Sequence, residues 1–96
     1  MSEAHILYVE IELHMGFSQS LKSKRQVVSR FKDRAQNQFN VAVAEVSYLE
    51  DWQRAGLALV SVANSRPVLE ALANRIRDFA AHNVDAEIAH YHWQWL

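Results

Sequence analysis

The stretch from His5 to Met15 alternates without interruption, and this does most to restrict the fold. Leu7, Val9, Ile11 and Leu13 fall on one side of an extended chain, and Tyr8, Glu10, Glu12 and His14 on the other. Period two with one polar side is a strand with one buried face and one open face. After a break at Gly16 to Ser20 the period changes. Leu21, Val27, Val28, Phe31, Ala35 and Phe39 recur at about 100° per residue and form one stripe of a helix over Leu21 to Gln38. Ser20 or Ser18 caps it. Asn40 to Ser47, rich in Val and Ala, reads as a second strand, and Tyr48 to Trp52 as a polar connection. Gln53 to Ala63 is a third strand through Leu57, Leu59, Val60 and Val62. Asn64-Ser65-Arg66-Pro67 starts a second helix, with two capping candidates and then proline where its missing N–H costs nothing. Its buried side is Val68, Leu69, Leu72, Ile76 and Phe79, and Asn83 ends it. Val84 to about Trp93 is the last strand.

Strand–helix–strand, twice within 96 residues, predicts a single α+β domain over 1–96. Its expected form is the ferredoxin-like βαββαβ sandwich, a four-stranded antiparallel sheet with both helices on one face. Half the residues are hydrophobic, with only two Gly and one Pro, so a packed core is expected and disorder is not. The absence of Cys excludes disulfides, a thiolate zinc site and a cysteine nucleophile. Met1 to His5 is polar with no signal pattern, and no apolar run approaches the ~20 residues of a membrane span. The expectation is a cytoplasmic protein without membrane contact.

The net charge of −1 conceals a strong asymmetry. Between Gln19 and Val41 stand Lys22, Lys24, Arg25, Arg30, Lys32 and Arg34 against the single acid Asp33, a local charge of +5 within a remainder of −6. A charged helix face often serves solubility alone, but an ordinary one mixes signs in i,i+4 pairs. This one does not, and it crowds Lys22, Lys24 and Arg25 at the N-terminal end. There the helix dipole disfavours each cation by roughly 0.3–1 kcal/mol. An anion at that end would offset the penalty, because free N–H groups and basic side chains together bind phosphate. Lys22, Arg25 and Lys32 project to one edge of the polar arc, and Arg30 and Arg34 to the other. Lys24 projects onto the apolar side, so it either precedes the regular helix or snorkels past its end. The patch spans roughly 18 Å along the axis, enough to follow a nucleic-acid backbone without reading bases.

Glu10 and Glu12 make the open sheet face a poor platform for RNA and leave Tyr8 as its one stacking ring on the first strand. Depending on register, Val41 and Val43 or Ala58 and Val60 add flat apolar surface there. That face suits a protein, including a second copy of the chain. Tyr91, Trp93 and Trp95 alternate at the C-terminal end, and either cover the sheet edge or join Tyr8 in such a contact. His90 and His92 share a strand face, but two ligands do not make a zinc site, and no metal or other cofactor is expected. Acylphosphatases, enzymes of this fold, cradle phosphate in a glycine-rich loop after the first strand. The corresponding Gly16-Phe17-Ser18-Gln19-Ser20 has a single glycine. Neither a P-loop nor a dinucleotide fingerprint nor a metalloprotease helix occurs, and Glu10 and Glu12 lack a matched partner for acid–base work. No enzymatic activity is expected.

Ser20-Leu21-Lys22, Lys24-Arg25, Val28 and Lys32 resemble the start of the first helix in the bacterial YlxP-like family, a domain of unknown function. The likeness continues through Phe39-Asn40-Val41, Val43-Ala44-Glu45-Val46 and Trp52-Gln53-Arg54-Ala55. It implies a ferredoxin-like fold and no established activity. It also implies genes that tend to lie beside those for translation-initiation and ribosome-binding factors, an association and not a mechanism. Lys22, Lys24, Arg25 and Lys32 match the family's pattern, while Arg30 and Arg34 are nominated from charge alone and Arg54 stands behind them. Met15-Gly16 and the tail from His90 to Leu96 depart from it. The expected partner is RNA or a ribosomal subunit, met by phosphate contacts along the first helix.

Overall fold

Ten alternating residues place β1 (His5–His14) in the middle of the sheet, where its apolar face packs against helices and both edges are paired. The structure, a computed structural model, describes residues 3–96; of the polar start, Met1 and Ser2 lie outside the described residues. After β1 come α1 (Leu21–Gln38), β2 (Ala42–Ser47), β3 (Arg54–Ala63), α2 (Arg66–His82) and β4 (Glu87–Trp95). The strands lie in the order β2-β3-β1-β4, every neighbouring pair antiparallel, which is the expected ferredoxin-like architecture. No helix of the described residues is long and apolar enough to cross a membrane.

The helices begin where their capping residues stand. Ser20 accepts the Ser23 amide at 3.0 Å, and Ser65 accepts that of Val68 at 3.4 Å, with Pro67 in the first turn. Ser18 is not the cap; it is buried and donates to Ser20 O at 3.2 Å. Asn83 closes α2 through its backbone N–H to Phe79 O at 2.9 Å. β2 starts at Ala42 rather than Asn40, because the Asn40 carbonyl accepts the Ser61 hydroxyl at 2.7 Å instead of joining the ladder. β4 is shifted too, starting at Glu87 and running on until Trp95 pairs with Leu7.

Leu7, Val9, Ile11 and Leu13, with Leu57 and Leu59 of β3, form the sheet side of the core. Phe31, Leu69, Ile76 and Phe79 close it from the helices, and the Phe79 ring lies 5.6 Å from Phe31 and 5.3 Å from Phe39. The open face takes Ile6, Tyr8, Glu10 and Glu12 from β1, Ala58, Val60 and Val62 from β3, and Ala42 and Ala44 from β2. The register settles the two readings in favour of Ala58 and Val60, since Val43 faces the core. Near the end of β2 the pairing slips between Glu45 and Ser47, a bulge that brings Ser47 onto Gly56. A Cβ on Gly56 would stand 2.6 Å from that of Ser47, so glycine permits the approach.

Candidate nucleic-acid interface on the first helix

α1 is held to β2 and β3 by its apolar stripe, which leaves the opposite side in water. Its first turn holds no acid. Lys22, Arg25 and Lys32 are exposed on one long side, and among the described residues none of the three forms an ion pair. Between them lie Gln26 and Ser29, so this surface presents donors and no aromatic ring. Arg30 and Arg34 leave the helix on the other side, towards the turn before β4. Arg30 meets Asp85 at 3.3 Å in a contact where both partners are over half exposed, and Arg34 donates to Asn83 O at 3.4 Å. Such surface contacts are weak enough to yield to a phosphate.

Lys24 is a correction. The structure buries it completely, so it touches no phosphate; it neither precedes the helix nor snorkels. Its side chain crosses beneath the β2–β3 connection and donates to Tyr48 O at 2.8 Å, Leu49 O at 3.2 Å and Arg54 O at 3.2 Å. Those three acceptors use the three ammonium protons. Glu45 Oε2 stands 2.9 Å from Nζ yet has no hydrogen-bond partner, so the carboxylate balances the charge off the N–H axes. Two signals in the sequence pointed here: Lys24 lies on the apolar arc of α1, and Glu45 lies on the same side of β2 as Val43.

Arg54, exposed at the start of β3, is tied to Asp51 at 3.1 Å and lies 4.1 Å over the Tyr48 ring. The Gln53 amide and the Arg54 side chain hold the Asp51 carboxyl below its usual range. It shares the N-terminal end of α1 with Lys22 and Arg25, but its charge is locally matched.

The open face has another character. Glu12 meets His14 at 2.6 Å, and chiefly that bond, with help from Tyr48 and Arg54, holds its carboxyl below the ordinary value. An ionised carboxylate of lowered pKa is the reverse of what a general acid needs at neutral pH. A cavity of about 230 Å³ above Gly56 is lined by Tyr8, Glu10, Glu12, Tyr48 and His90 among others, and its carboxylates disfavour phosphate. His90 and His92 also face this side, with ring centroids 6.3 Å apart opposite Glu12 and Glu10. Among the described residues no group of three His, Cys, Asp or Glu is placed to hold a metal.

The aromatic tail is divided from Tyr8. Trp95, Trp93 and Tyr91 pair with Leu7, Val9 and Ile11, so they lie on the helix side of the sheet and extend the core. Tyr91 donates to Ala73 O of α2, and Trp95 carries Arg66 at 5.0 Å from its ring centre. The expected joint surface of Tyr8 with Tyr91, Trp93 and Trp95 does not form within one sheet face. What the sequence reading missed is Phe17 and Trp52, which are 56% and 53% exposed in the two loops at the N-terminal end of α1. A large ring inside a polar loop was their only signal.

Fold and site together define a small ferredoxin-like domain whose distinctive chemistry is a cationic helix surface. The chain belongs to the family described as "Protein of unknown function (DUF503)", whose model matches residues 6–93. It is 36% identical over 72 residues to the "Uncharacterized protein YlxP" of Bacillus subtilis (strain 168), a match covering 75% of this chain and 78% of that protein. The resemblance drawn from the helix motif therefore holds for the family.

Proposed function

We propose that this is a non-enzymatic RNA-binding domain that contacts phosphates through the outer side of α1. The carrying observation is the exposed, unpaired set Lys22, Arg25 and Lys32 beside a helix N-terminus with no acid in its first turn. Arg30 and Arg34 extend the surface, and Arg54 adds to its end. The acidic open face turns a polyanion towards the helix side. Ribosomal RNA is the first candidate, because the family resemblance implies genes near translation factors. Affinity for ribosomal RNA should fall steeply with salt, and Lys22→Ala and Arg25→Ala should each lower the salt slope by about one unit. Undetectable binding at low salt, or slopes indifferent to both changes, refutes the reading.

A second reading is supported by the apolar half of the open face. Ile6, Val60 and Val62 are 37%, 36% and 53% exposed beside Ala42, Ala44 and Ala58, and a second copy of the chain would cover them. This surface is on the opposite layer from α1, so the two readings are compatible.

A further inference from the structure

We propose that Phe17 and Trp52 form a stacking platform for unpaired nucleotides, so that the RNA held by α1 is single-stranded there; this rests on the phosphate reading above. Both rings are more than half exposed, although burial of such rings is strongly favourable. They are not carried on loose loops. Met15 N donates to Gln53 O at 2.8 Å, and the Gln53 side-chain amide donates to Gly16 O at 3.1 Å and Ser18 O at 3.2 Å. Gln53 thus clamps the backbone on both sides of Phe17 to the residue that follows Trp52. From beneath, Lys24 fixes Tyr48 O, Leu49 O and Arg54 O. Tyr48 stands at φ 60, a left-handed conformation costing a bulky residue about 1–2 kcal/mol, and the Lys24 bond to its carbonyl helps hold it there. Rings positioned in advance lose little entropy when a ligand arrives.

Their placement selects the ligand. Phe17 lies just before the cap Ser20, and Lys22 and Arg25 occupy the first turns beyond it. A base stacked at the loop end therefore sends its phosphate towards those cations. Aromatic faces joined to a cationic track bind single strands, because each base offers a π-face and a phosphate. A duplex conceals its base faces and would meet only the cations. The open sheet, with Glu10 and Glu12, lacks that combination.

The test uses the full chain and one labelled mixed-sequence RNA, as a single strand and as a duplex, with anisotropy read across a salt series. The single strand should bind more tightly. Phe17→Ala and Trp52→Ala should each weaken it at least about fivefold with the salt slope unchanged, and Trp52→Phe should retain most of the affinity. Lys22→Ala should instead lower the slope for both forms. Equal affinity for the duplex, or alanine variants that bind the single strand like the wild type, overturns the platform; if Lys22→Ala still lowers the slope, the phosphate reading survives. Loss of a cross-linked protein on Phe17→Ala, with RNA affinity unmoved, reassigns the rings to a protein contact and also overturns it. No binding of either form at low salt removes both.

Discussion

Replacing Lys24 by methionine removes the ammonium and keeps most of the stem's volume, so the change isolates polar interactions from packing. Three carbonyls, those of Tyr48, Leu49 and Arg54, lose their donor, and Glu45 loses the cation 2.9 Å away. Breaking a buried pair from one side costs about 3–5 kcal/mol. The Glu45 side chain keeps 18% of its exposure, so water can reach it and the lower end, about 3 kcal/mol, applies. That is a large share of the ~5–15 kcal/mol by which a domain is stable. Urea unfolding of Lys24→Met should show this loss, and hydrogen exchange should quicken across residues 48–54. Glu45→Gln should destabilise the wild type but be neutral or stabilising in the Lys24→Met background, where it removes a stranded charge. Because Lys24 is buried, the salt slope for RNA should stay at the wild-type value where the variant is folded. A loss below about 0.5 kcal/mol, or equal effects of Glu45→Gln in both backgrounds, would refute the clamp, since a surface pair contributes only that much.

Burial pushes the Tyr91 hydroxyl up to about 12 from 10.0, with Asp78 adding to the shift and Arg77 opposing it. The neutral form is thus favoured in the fold: stability is whole below the unfolded value near 10.0 and declines as pH rises from there towards about 12. Tyr91→Phe should flatten that decline while costing about 1 kcal/mol at neutral pH for the bond to Ala73 O, and equal alkaline slopes in denaturant titrations would show the argument wrong. If a second copy covers the open face, sedimentation should show a salt-insensitive dimer that Val62→Glu returns to monomer. Trp93→Ala should leave the association intact because its ring is on the other side of the sheet. A monomer at high concentration ends that reading.

Element order and class were legible because apolar period is a local property of the chain. Alternation at Leu7, Val9, Ile11 and Leu13 gave β1, and the 100° stripe through Val27, Val28 and Phe31 gave α1. Ends set by local chemistry, at Ser20, Ser65 and Asn83, were also readable; those set by distant partners were not. β2 begins late because Ser61, across the sheet, takes the carbonyl of Asn40.

The sequence by itself determined that one stretch would be strongly cationic and that this stretch would be a helix. Only the tertiary structure sorted those cations. It buried Lys24 beneath the β2–β3 connection, left Lys22, Arg25 and Lys32 unpaired in water, and set Arg30 beside Asp85. It also sent Tyr8 and Trp93 to opposite layers, because β1 pairs with β4 in a register that aligns Val9 with Trp93. The division has a physical cause. Charge and period are counted along the chain, whereas burial and partnership depend on segments many residues apart meeting in one register.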